Sequence, residues 1–157
     1  MDLLAYWQWN NYQHDLDVAD LFHFNSKRSR LHDVLRVGER LWLVSGRPGP
    51  EGVEYILAQR LHVMEKTRNS PRYEFGAYRV VGDPDKTLTY RGDGPDMTAV
   101  LYHLRFEPYK PLQVKAKKDI AMALRVMRKL APGDVESLER WSESLEVAGL
   151  PSPNLRR

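Results

Sequence analysis

The sequence predicts an α+β fold, a small barrel or curved sheet carrying short helices and a C-terminal helical pair. Three observations support this. Short apolar and aromatic runs punctuated by Gly, Pro and Asn fill the first two-thirds of the chain, as strands do. Apolar residues at helical spacing are confined to the last third. No repeat or low-complexity tract divides the 157 residues, a length that suits one domain burying roughly two-thirds of its extended-chain surface. The predicted organisation is one domain over residues 1–157, with the barrel over about 1–110, the helical pair over about 116–149 and a tail over 150–157.

The elements follow in order. Leu3-Leu4-Ala5-Tyr6-Trp7-Gln8-Trp9 reads as a strand stopped by Asn10-Asn11. Asp15–Phe22 and Ser29–Leu35 read as short connecting helices, the second ending at Gly38. Leu41-Trp42-Leu43-Val44 is a continuous apolar run, which suits a strand buried on both faces and places Trp42 in the core. With Val53–Met64 it forms a hairpin around Ser45-Gly46-Arg47-Pro48-Gly49-Pro50. Tyr73–Val81 is a further strand with a bend at Gly76, followed by the turn Gly82-Asp83-Pro84-Asp85. Leu88-Thr89-Tyr90 pairs nearby, and Leu101–Phe106 closes the sheet. Ile120, Ala123, Leu124, Met127 and Leu130 mark one helix, stopped by Pro132-Gly133. Asp134 caps a second, carrying Val135, Leu138, Trp141, Leu145 and Ala148 and ended by Gly149.

Composition narrows the function classes. Without Cys there are no disulfides, thiolate zinc sites, iron–sulfur clusters or Cys nucleophiles. No window approaches 18 consecutive apolar residues, so no membrane span or membrane partner is expected. The N-terminal Met1-Asp2-Leu3-Leu4 lacks a basic export signal, which predicts a cytoplasmic chain. None of the five His falls in a tight metal spacing, and no serine-hydrolase elbow, Walker loop or dinucleotide fingerprint is present. No cofactor is expected, and the enzyme reading is weak. Its remaining form is a metal-dependent nuclease using His14, Asp15 and Asp17, acids that a helix N-terminus favours in any case.

Charge is uneven although the net value is only +3. Cations cluster over 25–40 and again over 105–129, and acids over Asp134–Glu146. Such runs suit solvated faces, phosphate binding by the basic segments, or docking of a basic protein partner on the acidic helix.

Binding signatures are stronger. Trp7 and Trp9 lie two apart, so in a strand both rings share one face, either filling a core or walling a pocket for a flat ligand. Phe24-Asn25-Ser26-Lys27-Arg28-Ser29-Arg30 then places an amide, two hydroxyls and three cations directly after an aromatic. An amide can pair with a base edge, and guanidinium groups take phosphate. The same segment also reads as a loop in which Asn25 or Ser26 caps the following helix and the Arg side chains are solvated.

The Tyr6-Trp7 strand, the Asn-bearing basic segment and Val37-Gly38-Glu39-Arg40-Leu41-Trp42-Leu43-Val44, followed by Tyr55-Ile56-Leu57-Ala58-Gln59-Arg60-Leu61-His62-Val63, resemble the EVE-type branch of the PUA-like superfamily. The resemblance runs from Leu3 to about Val81 and leaves out the C-terminal helices. It implies a pseudo-barrel of about five or six mostly antiparallel strands with flanking helices, whose concave pocket reads a modified or unstacked base in DNA or RNA without catalysis. It would make Trp7, Trp9, Phe24, Asn25 and Ser26 ligand contacts, and Lys27, Arg28 and Arg30 phosphate contacts. The G-x-K-x-x-E-x-R motif of a related enzymatic branch has no match.

Overall fold

The computed structural model describes residues 1–18 and 22–148. Its elements are β1 (Asp2–Tyr6), α1 (Trp9–Asp17), β2 (His23–Ser26), α2 (Arg30–Val34), β3 (Arg40–Gly49), β4 (Gly52–Arg68), β5 (Tyr78–Gly82), β6 (Leu88–Thr89), α3 (Thr98–His103), α4 (Ile120–Ala123), β7 (Arg128–Lys129) and α5 (Pro132–Glu143), with a 3-10 turn at Lys117–Asp119 before α4. The fold is α+β. Seven strands form one mixed, open sheet in the order β2-β5-β4-β3-β1-β7, with β6 on β4. β1 runs parallel to β3, and the remaining pairs are antiparallel.

Alternation along the central strands builds two cores. Leu3, Ala5, Leu41, Leu43, Ala58 and Leu61 face one side, where Tyr12 of α1 and Leu31 of α2 cover them. Leu4, Trp42, Val44, Tyr55 and Leu57 face the other, against Leu101 of α3, Ile120 of α4 and Leu138 of α5. A strand buried on both faces reads as a continuous apolar run, which is why Leu41–Val44 is unbroken. Trp42 is fully buried, its indole N–H donating to Asp2 at 2.8 Å.

Four sequence expectations need correction. The opening strand stops at Tyr6, and Trp9 and Asn10-Asn11 begin α1. Ser45–Gly49 is strand, not loop, so the hairpin turns at Pro50-Glu51. Gly46 makes the extension possible, because a Cβ there would stand 2.5 Å from the Tyr6 hydroxyl. Leu101–Phe106 is not a closing strand: Met97, Leu101 and Leu104 recur at helical spacing and face the α5 side. The helix expected across Ile120–Leu130 ends at Ala123. Ile120, Leu124 and Leu130 pack on one side of the sheet but Met127 on the other, which no single helix face can satisfy. The chain instead extends as β7 and pairs with the free edge of β1 through Leu3↔Lys129 and Leu4↔Arg128.

Elsewhere the differences are of extent. Tyr73–Gly76 is a turn, and β5 begins at Tyr78. The first connecting helix starts earlier than expected, at Trp9, and its expected stretch 19–21 lies outside the described residues, as do the Gly149 stop and the tail. Asp134 stands inside α5, two residues past Pro132, and its carboxylate accepts from the Ala131 N–H at 3.0 Å. Among the described residues no helix is long and apolar enough to cross a membrane.

Candidate functional site

A pocket of about 410 Å³ opens where the two ends of the strand order approach each other. Ala5 and Tyr6 of β1 line it, as do Phe24, Asn25 and Ser26 of β2, although β1 and β2 are not hydrogen-bonded neighbours. Lys27, Arg28 and Arg30 follow from the start of α2, Asn11 from α1, Glu74 and Phe75 from the β4–β5 connection, and Arg125 and Met127 from the segment before β7. The volume falls within the ~300–1,000 Å³ of small-ligand sites.

Six of the eight residues singled out in sequence therefore meet in one lining: Phe24, Asn25, Ser26, Lys27, Arg28 and Arg30. The two indoles do not. Trp7 is fully buried, edge-on to Tyr12 at 5.0 Å and to Phe24 at 6.1 Å, and belongs to the core behind the pocket. Trp9 stacks on Tyr12 at 5.6 Å, one helical turn along. The expectation that both rings share a strand face fails because α1 starts at Trp9. The pocket's aromatic groups are Tyr6, Phe24 and Phe75 instead.

Local bonding fixes this lining. Asn25 is buried, its Oδ1 accepting from Asn69 Nδ2 at 2.7 Å, while the same nitrogen donates to the Gly76 carbonyl at 3.0 Å. Gly76 adopts φ +114° and lies so close to Ser26 that a Cβ would stand 2.1 Å from its carbonyl carbon. Only glycine lets this turn press onto the end of β2 and hold Phe75 at the rim. Phe75 also packs against the His14 ring at 5.1 Å. Ser26 Oγ accepts from the Arg28 N–H at 3.0 Å, and Arg30 Nε donates to the Met127 carbonyl at 3.4 Å, joining the two margins. Burial pushes the Tyr6 phenol above its ordinary value, a backbone hydrogen bond at Gly46 acting the other way, so the hydroxyl stays neutral at physiological pH.

The pocket's electrostatic signature is a local excess of cations; like most Lys and Arg side chains among the described residues, these are outside the ion pairs of the fold. Arg40 is paired with Asp2 and Glu139, Arg47 with Glu54, Arg91 with Asp93 and Glu146, Lys117 with Asp96 and Lys129 with Glu107. Lys27, Arg28, Arg30 and Arg125 take part in no ion pair among the described residues, and Glu74 is the one acid in their lining. Four cations with a single acid at one opening suit a polyanion. Asn11 adds a buried carboxamide whose Oδ1 has no hydrogen-bond partner among the described residues. Sequence reasoning missed Asn11, Phe75 and Arg125. Asn11 had read as a strand stop, and the other two come from distant segments.

The residues considered for a nuclease are arranged differently. Asp15 is buried, with Oδ1 at 3.2 Å from His14 Nδ1 and 3.7 Å from His23 Nε2, whereas Asp17 is exposed. Among the described residues, no group of three or more His, Asp or Glu side chains is placed to hold a metal ion.

Comparison with known proteins adds no relationship: the chain matches no family model and no curated protein.

Proposed function

We propose that this chain is a non-catalytic nucleic-acid-binding module whose pocket takes a modified or unstacked base from DNA or RNA, in the manner of an EVE-type PUA-like reader. One observation carries the reading: four cations and a single acid surround a pocket walled by Tyr6, Phe24 and Phe75 and edged by Asn11 and Asn25. The aromatic faces stack a base, the carboxamides offer donors and acceptors to its edge, and the guanidinium groups hold the flanking phosphates.

A basic protein docking on the acidic helix α5 draws less support, because Glu139 is already paired with Arg40 and Glu136 with Arg140. The test is titration of the chain, at low salt, with single-stranded DNA and RNA oligonucleotides carrying varied central bases. Micromolar or tighter binding is expected, weakened roughly tenfold by Phe75→Ala through lost stacking. A full panel without detectable binding would overturn the proposal.

A further inference from the structure

The turn joining α3 to the 3-10 segment is anchored out of proportion to its exposure. Asp134 accepts from the backbone N–H groups of Arg105 and Phe106, each at 2.8 Å. The Glu107 N–H donates to the Lys129 carbonyl at 3.0 Å, and the Lys110 N–H to the Arg105 carbonyl at 2.9 Å. The Arg128 guanidinium lies 5.1 Å from the Phe106 ring centre and donates to the carbonyls of Lys110 and Ala123 at 3.1 and 3.0 Å. Phe106 is held at φ 59°, a left-handed conformation uncommon for a non-glycine residue and kept only where the surroundings over-determine it. This fixed turn presents Tyr109 with 70% of its surface exposed, beside the exposed Arg105 and Lys110. The turn's acid, Glu107, is paired with Lys129 at 3.1 Å.

We propose that Tyr109 is a second stacking platform, for a neighbouring base of the same strand whose unstacked base occupies the pocket. The inference rests on the nucleic-acid reading of the pocket. Two connections tie the turn to the segment that reaches the pocket margin. Arg128 holds the Lys110 carbonyl and the Ala123 carbonyl together, so the turn lies against the segment that delivers Arg125 and Met127 to the pocket. Lys129, bonded to Glu107, is two residues from Met127, about 7 Å along an extended backbone. Arg105, Lys110 and Arg125 supply phosphate contacts along this path, and exposed Met122 and Val126 add apolar surface on the connecting segment. With its backbone already fixed, the turn loses little freedom when a base stacks on Tyr109, so less ordering opposes binding than on a mobile loop.

The experiment is a length series: a mononucleotide and single strands of two, four and six nucleotides, titrated calorimetrically into the full chain. Affinity is expected to rise beyond one nucleotide, and Tyr109→Ala to remove about tenfold of that rise. Tyr109→Phe and Tyr109→Trp are expected to keep it. Thermal melting of Tyr109→Ala should match the parent, since an exposed ring contributes little to the fold. If the oligonucleotides bind and respond to Phe75→Ala while Tyr109→Ala leaves the length dependence intact, the platform is refuted and the pocket reading survives. An effect of Tyr109→Ala on self-association in sedimentation, with no effect on the length series, refutes it equally. Failure of every strand length to bind removes both readings.

Discussion

The α5 side of the molecule and the pocket margin use charge in opposite ways. On the α5 side, two carboxylates each collect several donors from the chain itself. Asp134 accepts from the N–H groups of Arg105, Phe106 and Ala131, tying a turn to the start of a helix. Asp96 accepts from the Tyr55 N–H, from Thr98 and from Lys117, joining β4, α3 and the 3-10 turn. At the pocket, Lys27, Arg28, Arg30 and Arg125 stand together with no ion pair among the described residues, Arg30 donating to the Met127 carbonyl. A charge bonded within the fold stabilises it and is unavailable to a ligand; one left unpaired does the reverse. The two regions therefore differ in what their charge does: carboxylates tie elements together on one side, and four cations gather around a single acid on the other.

Substitutions can break or sharpen that contrast, beginning with the largest effect. Trp7→Ala is expected to cost about 3–5 kcal/mol of stability in chemical denaturation, because the indole is fully buried between Tyr12 and Phe24. Trp7→Phe should cost less; a loss of binding at unchanged stability would return Trp7 to the ligand wall. Asp134→Ala comes next, at roughly 3 kcal/mol, since it strips three backbone donors of a charged acceptor, two of them at 2.8 Å. A melting temperature equal to the parent's would show that the α5 side contributes nothing to the fold.

A smaller effect concerns acid. Desolvation pushes the Asp96 carboxyl up, but hydrogen bonds from Lys117, Thr98 and the Tyr55 N–H outweigh it and hold the group below its ordinary 3.8. A lowered carboxyl contributes stability that is complete above the ordinary value and is lost as pH falls through the lowered one. Asp96→Asn should flatten that part of the acid-denaturation curve, and an unchanged curve would contradict the assignment. Smallest of all for stability, Arg28→Ala should shift the denaturation midpoint by no more than ~0.5 kcal/mol equivalent while reducing the salt dependence of oligonucleotide binding. A marked destabilisation would make Arg28 a structural residue.

Much of this contrast was legible along the chain. The Phe24–Arg30 segment brings its aromatic, its amide, its hydroxyl and its cations to one margin because they lie within seven residues of one another on β2 and the entry to α2. Such short separations survive almost any fold. Trp7 and Trp9 failed the same reasoning, since one change from strand to helix between them rotates the second ring away from the first. Phe75 and Asn11 carry no local mark of a site, and Arg125 is marked only as one of the eight cations of 105–129.

Sequence by itself determined the α+β class, the β3–β4 hairpin though not its length, the burial of Trp42 and the cationic stretch after Phe24, all of which follow from periodicity and neighbours in the chain. Tertiary structure alone decided that β7 caps the edge of β1, that the sheet stays open, and that segments around residues 6, 11, 25, 75 and 125 meet at one hollow. The reason is physical. Which face a residue shows depends on its own backbone, whereas which distant residues it meets depends on how exposed strand edges and two buried faces are satisfied together.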